Sequence, residues 1–250
     1  MKMKTILDDA SSVLDCCLEN HWHIASAESL TGGLLADSFV SVPGASRVFL
    51  GSAVTYDIHA KAKVLGVDVE LLKSRGAVDA RVARLMALGA ARLYSGSEWD
   101  YVYKGYVKDL RNPDFPVIGL STTGVAGPGP DGDKPAGLAY VGIFLPQVVE
   151  EYIESSLNSS IYDLLCLNVD ENINSCADSD SCSSEKPIFN RDCLENYFDI
   201  TVDKSVYGTL ISSELHNSGN REEVRNSVVA KLLKLLHLLL CEGCGNIERA

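Results

Sequence analysis

The chain has 250 residues, of which 46% are hydrophobic and 22% are charged, so it is long and apolar enough to bury a substantial core. Its formal net charge of −12 argues against nucleic acid as a partner, because a nucleic-acid binder needs clustered Lys and Arg. No apolar run reaches the ~20 residues that span a bilayer, and Met1–Thr5 lead into Asp8 and Asp9 rather than into a signal-peptide core. We therefore expect a soluble, cytoplasmic protein that binds no membrane.

Eight cysteines are spread along the chain. In a chain of this length without a signal peptide they do not suggest a disulfide framework, and thiols are the expected state. Cys241 and Cys244 have the two-residue spacing of half a zinc site. The cysteines available to complete it are Cys176, Cys182 and Cys193. Because there is no second CxxC pair and no histidine at ligand spacing, we expect neither a metal ion nor another cofactor.

Helix and strand patterns alternate over residues 5–95. Apolar residues three and four apart predict amphipathic helices, and the β-branched and aromatic run Val48–Tyr56 predicts a central strand. Asp57 and Asp79 stand where each would cap a following helix. In chain order, the predicted elements are a helix over about 5–20, a strand through 24–25, a helix over about 32–41, a strand over 48–56, and helices over 58–65, 69–74 and 80–93.

The second half of the chain contains three more predicted strands and a final helix. A long Gly- and Pro-rich loop, residues 122–137, separates two apolar runs. Asn220 is a cap residue, and Glu222 and Glu223 place acids in the first turn of the last helix. In chain order, the predicted elements are strands over 115–121, 138–144 and 206–211, and a helix from 220 that Gly243 ends.

Two stretches are predicted to be insertions. Gly96–Pro113 loses periodicity, and with so few cations its interleaved Tyr and Lys favour a surface hairpin over a platform for nucleic-acid bases. The second insertion is about 147–205. From Glu150 to Lys204 it carries 13 acidic and three basic residues, a net charge of −10. Its middle, Ser155–Asn190, is rich in Ser, Asn, Asp and Cys, which predicts a solvated segment that folding does not require.

The stretch Ile24–Leu35 is an apolar run that breaks into small polar residues, which predicts a strand, a tight turn and a helix. Gly32 and Gly33 let the backbone turn and leave the first amides of the helix open. Ser29 would then lie over a helix N-terminus, where backbone donors hold a nucleophile, an oxyanion or a phosphate. The alternative is that Ser29 and Thr31 are N-cap residues and no more.

A second glycine-rich feature, Thr123–Gly127, also follows a predicted strand. In open α/β sheets, ligand sites gather beyond the carboxyl ends of the strands. This loop is therefore a second candidate for ligand binding.

Five ordered motifs resemble those of one known family. They are AESLTGG at 27–33, PGAS at 43–46, VTY at 54–56 with AK at 60–61, TGVAGP at 123–128 with KPAG at 134–137, and NREEVR at 220–225. Together they are similar to the C-terminal domain of the competence/damage-inducible CinA proteins, whose stand-alone members are nicotinamide mononucleotide deamidases. The similarity spans roughly residues 5–95, 115–145 and 207–240, and both predicted insertions lack a counterpart.

The chain also departs from the pattern of this family. Ile58 and His59 stand where the family commonly has Asn and Glu, Leu30 where it often has Cys, and Asn220 where it has Asp. The N-terminal partner domain of the long CinA proteins has no counterpart here. We expect these departures to affect specificity rather than the reaction.

The resemblance implies an α/β fold, namely a three-layer sandwich in which helices cover both faces of a mixed sheet. It implies a single domain over residues 1–250, interrupted by insertions at about 96–113 and 147–205, and it suggests a homodimer. The implied activity is hydrolysis of the carboxamide of nicotinamide mononucleotide to nicotinate mononucleotide and ammonia. The expected partner is therefore a small-molecule nucleotide substrate.

The residues suit this chemistry. Ser29 offers a hydroxyl nucleophile, but the motifs place no His or Asp beside it to complete a Ser-His-Asp triad, so Lys61 is the available base. We expect Lys61 to be partly buried with an arginine nearby, conditions under which a lysine loses its proton near neutral pH. Tyr56 would relay the proton or orient the base. The alternatives are a solvated helix position for Lys61 and a core-edge position for Tyr56.

Backbone amides at Thr31–Gly32 or in Gly124–Gly127 would either stabilise the oxyanion or hold the 5′-phosphate, and the sequence does not separate these roles. Arg221 is expected to clamp the phosphate, the alternative being a surface charge. The candidate substrate-binding residues are Glu28, Thr31, Gly32, Gly33, Thr123, Gly124, Val125, Ala126, Gly127 and Arg221. The rival function is a catalytically silent nucleotide-phosphate-binding or regulatory protein on the same fold.

Overall fold

The structure, a computed structural model, describes residues 3–96, 115–157 and 199–242. The helices of these ranges are α1 (Met3–Glu19), α2 (Leu34–Val40), α3 (Ile58–Leu65), α4 (Val69–Arg75), α5 (Ala80–Tyr94), α6 (Gln147–Leu157) and α7 (Arg221–His237). The strands are β1 (His23–Glu28), β2 (Phe49–Val54), β3 (Val117–Gly124), β4 (Leu138–Pro146), β5 (Asp199–Ser205) and β6 (Gly208–His216). A 3₁₀ turn, Ala45–Arg47, precedes β2, and a π-helical turn, Leu238–Glu242, continues α7.

The strands form one mixed sheet in the order β2-β1-β3-β4-β6-β5. β1 pairs in parallel with β2 and β3, whereas β4 is antiparallel to both β3 and β6. The carboxyl ends of β1, β2, β3 and β6 therefore lie at one edge of the sheet. Glu28 marks this edge, since it is in register with Val54 of β2 and with Thr122 of β3.

Helices cover both faces of the sheet. α1, α2, α6 and α7 pack with inward residues such as Ile24 on one face, and α3, α4 and α5 pack with the alternate residues, such as Ala25, on the other. The alternation follows from the period of two along a strand, which sends neighbouring side chains to opposite layers. The predicted α/β fold, with a mixed sheet between two helical layers, is confirmed.

Side-chain caps that the sequence predicted mark the first residues of three helices. The Asp57 carboxylate accepts hydrogen bonds from the His59 and Ala60 amides at the start of α3, and Asp79 accepts one from the Arg81 amide at the start of α5. At α7 the Asn220 side chain accepts from the Glu222 and Glu223 amides, and the Glu223 carboxylate accepts from the Asn220 amide. All three caps were predicted, because capping depends on residues only two or three positions apart.

Several predicted element boundaries are wrong. Strand β3 covers Val117–Gly124 rather than 115–121, and β2 ends at Val54 rather than at Tyr56. Helix α2 begins at Leu34 rather than at Gly32, because Gly33 is its N-cap in a left-handed conformation with φ of 103°. The strand predicted over 206–211 begins at Gly208, because residues 206 and 207 form the turn between β5 and β6. The Ser205 hydroxyl closes that turn by donating to the Gly208 carbonyl.

The predicted insertion over 147–205 begins and ends in regular structure. Its first residues form α6, whose Val149 and Ile153 are fully buried, and its last residues form the edge strand β5. An ion pair between Glu150 of α6 and Lys204 of β5 joins the two elements. The rest of the predicted insertion and the predicted hairpin at 96–113, apart from its first residue, lie outside the described residues.

None of the helices in the described ranges combines the length and the apolar composition that crossing a bilayer requires.

Candidate active site

Four segments meet at the edge of the sheet where the parallel strands end. Ser29 directly follows β1, and Tyr56 and Lys61 follow β2. The glycine-rich loop that ends at Gly127 follows β3, and Arg221 begins the helix that follows β6. The sheet topology therefore gathers residues that are far apart in the sequence, as expected for α/β sheets.

Lys61 lies beside Ser29. Its Nζ donates hydrogen bonds to the Ser29 Oγ at 2.9 Å and to the Thr55 carbonyl at 2.5 Å. The Lys61 side chain is fully buried, and Ser29 is only 8% exposed. The solvated alternative for Lys61 is thereby ruled out, and a hydroxyl and an amine are held in contact away from bulk water.

Burial lowers the pKa of Lys61 from 10.5 to about 8, because desolvation disfavours the ammonium, while the Asp57 carboxylate opposes this shift. The sequence had suggested a neighbouring arginine as a further cause, but the structure attributes the lowered pKa to desolvation alone. Within the described ranges, no carboxylate forms an ion pair with Lys61. About a tenth of this lysine is therefore neutral at pH 7, and about half is neutral at a pH near 8.

Ser29 does not cap helix α2. Its Oγ accepts from Lys61, and its backbone amide donates to the Thr122 carbonyl of β3 at 3.0 Å. Thr31 is not the cap either, since Gly33 occupies that position without a side-chain bond. The capping alternative for both residues is therefore wrong. The Ser29 hydroxyl is instead hydrogen-bonded to Lys61.

The buried carboxylate of Glu28 takes the place of a cap. One carboxylate oxygen, Oε2, accepts from the Gly33 and Leu35 amides at 2.9 and 3.1 Å. The other, Oε1, accepts from the Ala36 amide at 3.0 Å and from the Ser52 hydroxyl at 2.9 Å. The Gly33, Leu35 and Ala36 amides at the start of α2 are thus already bonded to the Glu28 carboxylate, so these three are not free donors for an oxyanion or phosphate.

Three of the predicted substrate-binding side chains support the site from within. Glu28, Thr31 and Thr123 are all fully buried. The Thr31 hydroxyl donates to the Glu28 Oε2 at 2.7 Å and shares a hydrogen bond with the Thr122 hydroxyl. The Thr123 hydroxyl donates to the Ala77 carbonyl at 2.6 Å, which ties β3 to the link between α4 and α5. These side chains hold the walls of the site rather than facing its opening.

Gly32 and Gly33 are required for their backbone conformation rather than for space. Their φ angles are 57° and 103°, a region that side chains with a Cβ rarely adopt. A Cβ on Gly33 would meet no atom within 4 Å. The pair bends the chain from β1 into α2, as the sequence predicted.

The glycine-rich loop offers fewer donors than the sequence suggested. Gly124 is still part of β3, where a Cβ would lie 2.6 Å from the Ala139 Cα of β4. The Val125 amide donates to the Leu138 carbonyl at 2.8 Å and so is not open to a ligand. Ala126 and Gly127, beyond these two residues, remain as the part of the loop nearest to Arg221.

Arg221 bridges the mouth of the site. It donates through Nη1 to the Gly127 carbonyl at 2.6 Å and through Nη2 to the Tyr56 hydroxyl at 2.9 Å. Tyr56 is 63% exposed, so the core-edge alternative is wrong. No hydrogen bond joins Tyr56 to Ser29 or Lys61 among the described residues. Tyr56 therefore contacts the predicted phosphate clamp rather than the predicted base.

Arg225 is a site residue that the sequence reasoning missed. It lies one helical turn after Arg221 on α7 and donates through Nε to the Leu30 carbonyl at 2.9 Å and through Nη2 to the Thr31 carbonyl at 2.7 Å. The signal available in the sequence was its spacing of four from Arg221, which places both arginines on one face of the helix.

No group of His, Cys, Asp and Glu that could hold a metal ion occurs within residues 3–96, 115–157 and 199–242. The cysteines considered for a zinc site, other than Cys241, lie outside these ranges. The expectation that the protein needs no metal or other cofactor therefore stays a prediction.

Comparisons with known proteins agree with the resemblance seen in the motifs. Residues 8–99 match the family model of the CinA C-terminal domain. A CinA-like protein from Frankia casuarinae is 41% identical over 134 residues, which are 54% of this chain and 26% of that protein. A putative competence-damage inducible protein from Moorella thermoacetica is 44% identical over 124 residues, 49% of this chain and 25% of that protein. The chain thus spans about a quarter of the length of these curated relatives.

Solved structures show the same fold. The competence/damage inducible protein CihA from Agrobacterium tumefaciens superimposes with a TM-score of 0.58 at 21% identity, over 94% of this chain and 95% of that one. A CinA superfamily protein from Klebsiella pneumoniae superimposes with a TM-score of 0.57 at 17% identity, over 94% and 97%. The resemblance to the CinA C-terminal domain family is confirmed for residues 8–99, and the described part of the chain has the fold of these solved structures.

Proposed function

We propose that this CinA-type protein is a nicotinamide-nucleotide amidase, which hydrolyses the carboxamide of nicotinamide mononucleotide to nicotinate mononucleotide and ammonia. The observation that carries the proposal is the contact of 2.9 Å between the Ser29 Oγ and the Nζ of a fully buried Lys61. A serine–lysine hydrolase needs a serine nucleophile beside a lysine of lowered pKa, because the lysine amine acts as the general base in place of the histidine of a triad.

In the first step, neutral Lys61 takes the proton of the Ser29 hydroxyl while Oγ attacks the amide carbon of the substrate. The electron pair of the carbonyl moves to its oxygen, which gives a tetrahedral oxyanion. The Lys61 ammonium then protonates the amide nitrogen, the C–N bond breaks, and ammonia leaves. Ser29 is left as an ester of nicotinate mononucleotide, and Lys61 is neutral again.

In the second step, water attacks the ester carbon while Lys61 accepts one proton from it. The tetrahedral intermediate collapses, the bond to Oγ breaks, and the Lys61 ammonium returns the proton to the Ser29 hydroxyl. Nicotinate mononucleotide is released and the site is restored. A lysine with a pKa of about 8 serves both directions of transfer, because its two protonation states are close in energy at working pH.

Arg221 is proposed to recognise the 5′-phosphate. It is an exposed cation at the mouth of the site, and its two contacts are with neutral oxygens of Tyr56 and Gly127. A phosphate would form charge-assisted hydrogen bonds, which are roughly twice as strong as neutral ones. Tyr56 is proposed to position Arg221 and to contact the bound nucleotide.

The test is release of ammonia by the purified protein from nicotinamide mononucleotide, nicotinamide riboside and free nicotinamide. We expect the mononucleotide to be the preferred substrate and Ser29→Ala to be inactive. The matched variant Ser38→Ala on α2 carries the same substitution outside the site and should retain activity. If no amide of the panel releases ammonia, the proposal is wrong and a silent nucleotide-binding protein takes its place.

A homodimer is proposed on the basis of the family resemblance alone. Light scattering coupled to size-exclusion chromatography tests it directly, with a mass near twice the 27.0 kDa of the chain as the expected result.

A further inference from the structure

Arg225 holds two successive carbonyls of the turn that carries Ser29. One planar guanidinium donates to both the Leu30 and the Thr31 carbonyl, at 2.9 and 2.7 Å. The two carbonyls therefore point to the same side of the turn, toward α7. The rigid fork of an arginine side chain suits such paired acceptors, because its donors keep a fixed geometry.

Fixing these carbonyls also fixes two amides. Both peptide groups are trans, and in a planar trans peptide the N–H points opposite to the C=O. The Thr31 amide belongs to the group whose carbonyl is that of Leu30, and the Gly32 amide belongs to the group whose carbonyl is that of Thr31. Both N–H groups therefore point away from Arg225.

These two amides differ from the next ones along the chain. The Gly33, Leu35 and Ala36 amides all donate to the Glu28 carboxylate. In the described part of the chain, no hydrogen-bond partner is found for the amides of Thr31 and Gly32.

The layers of the fold show where these amides point. Arg225 reaches the turn from α7, which packs in the layer of α1 and α2, whereas Lys61 reaches Ser29 from α3 in the opposite layer. Amides that point away from Arg225 therefore face the side on which Lys61 meets the Ser29 Oγ.

We propose that Arg225 is a positioning residue, which orients the Thr31 and Gly32 amides so that they stabilise the oxyanion formed when Ser29 attacks the substrate. This inference rests on the proposed amidase activity. It assigns different tasks to two arginines one helical turn apart on α7. Arg221 acts on the phosphate, whereas Arg225 acts through the backbone on the transition state and touches no substrate.

Steady-state kinetics of Arg225→Met and Arg225→Lys test this assignment. Loss of one oxyanion donor lowers kcat by about 10²–10³-fold in known hydrolases, so we expect a fall of about a hundredfold for Met. KM should stay within about threefold, since the amides act only when charge has developed. The loss should be equal for nicotinamide mononucleotide and its riboside. Lys should recover part of kcat, because one ammonium can still hold one carbonyl.

A second readout separates positioning from general damage. The aldehyde analogue of nicotinamide mononucleotide would add to Ser29 as a hemiacetal and place an oxygen at the oxyanion position. Its affinity should fall in Arg225→Met by the same factor as kcat/KM, whereas the affinity of the product, nicotinate mononucleotide, should not change. Arg81→Met, an exposed arginine on α5, is the matched control and should behave as the wild type.

The outcomes separate this inference from the proposed function. If the wild type turns over the mononucleotide and Arg225→Met keeps its kcat within threefold, the inference alone is overturned. A rise in KM together with weaker product binding would make Arg225 a direct substrate contact, which also overturns it. A wild type without any amidase activity overturns the proposed function first, and the inference falls with it.

Discussion

Two buried ionisable side chains flank the turn that carries Ser29, and their surroundings differ. Glu28 and Lys61 are both fully buried. The Glu28 carboxylate accepts from three backbone amides and two hydroxyls, so its oxygens are saturated with donors. Lys61 contacts only two neutral oxygens, those of Ser29 and Thr55, and no carboxylate neutralises it within the described ranges.

The difference shows that the partners of a buried charge, rather than its burial, indicate its role. A buried carboxylate that receives many hydrogen bonds is stabilised as an anion and ties together the elements that supply the donors. A buried ammonium without a counter-ion is destabilised, and its pKa falls toward neutrality. Glu28 thus supports the scaffold, whereas Lys61 has the surroundings that the proposed proton transfer requires.

The largest effect is expected on turnover when either member of the Ser29–Lys61 contact is removed. Ser29→Ala and Lys61→Met should each lower kcat by about a thousandfold or more, because the nucleophile and its base act as a unit. Ser29→Asn should be equally inactive, although Asn is a good cap, because the hydroxyl is not used as one. Ammonia release measures all three variants. Wild-type turnover in Ser29→Ala would remove Ser29 from the mechanism.

Removing the charge of Glu28 should instead affect folding. In Glu28→Gln, one carboxylate oxygen becomes an amide NH₂ that faces backbone or hydroxyl donors, so we expect a loss of about 2–4 kcal/mol in the free energy of unfolding. Denaturation by urea measures it. Glu70→Gln, at an exposed position on α4, is the matched control and should lie within about 0.5 kcal/mol of the wild type. A neutral effect at Glu28 would contradict its role as scaffold.

Lys61 should make the stability of the protein depend on pH. Its pKa is about 8 in the folded protein and 10.5 in a solvated chain, so between these values the unfolded state binds more protons and stability rises with pH. At pH 7 the buried charge of Lys61 lowers the free energy of unfolding of the wild type by at most about 3 kcal/mol. Lys61→Met should therefore be more stable than the wild type at pH 7, and this difference should shrink as the pH approaches 10.5. Thermal melts from pH 7 to 10 measure the difference.

The protonation state of Lys61 should also control kcat/KM. Below its pKa, kcat/KM should rise about tenfold per pH unit and level off above a pH of about 8, because only the neutral amine accepts the proton. Lys63→Met, on the exposed side of α3, should change neither profile. The rate should level off near the pH at which the stability of the wild type begins to rise, because both mark the pKa of Lys61 in the folded protein. If these two pH values differ, two different groups are titrating.

A smaller effect is expected at the mouth of the site. Arg221→Ala should raise KM for nicotinamide mononucleotide by about tenfold, the loss of roughly one charge-assisted hydrogen bond, and leave KM for the riboside nearly unchanged. Comparison of the two substrates on the wild type and the variant measures this. An equal penalty for both substrates would mean that Arg221 does not recognise the phosphate.

The smallest effect is expected when residues 158–198 are replaced by a short Gly/Ser linker. The composition of this segment predicts that folding does not need it, and the melting temperature should change by only a few degrees. Extending the deletion through α6 removes the buried Val149 and Ile153 and should be strongly destabilising. A collapse in stability with the first replacement alone would show that the segment belongs to the core.

Local sequence rules determined much of the fold. The periodicity of apolar residues predicted α1, α5 and α7, and the caps at Asp57, Asp79 and Asn220 were correct because each bond spans two or three residues. Motif spacing was also sufficient to indicate Ser29 and Lys61 as candidates. By contrast, α6 and β5 carry weak local signals, since their acidic sequence resembles that of a solvated insertion.

Only the tertiary structure decided which groups meet. Lys61 contacts a hydroxyl 32 residues away, and Arg225 contacts a carbonyl 195 residues away, so no local pattern specifies either partner. Whether Glu28 would contact a ligand or the start of α2 likewise depended on how β1, β2 and the turn pack. Burial and the supply of hydrogen-bond donors arise from elements brought together by the sheet, and these determine whether a charged residue supports the fold or performs chemistry.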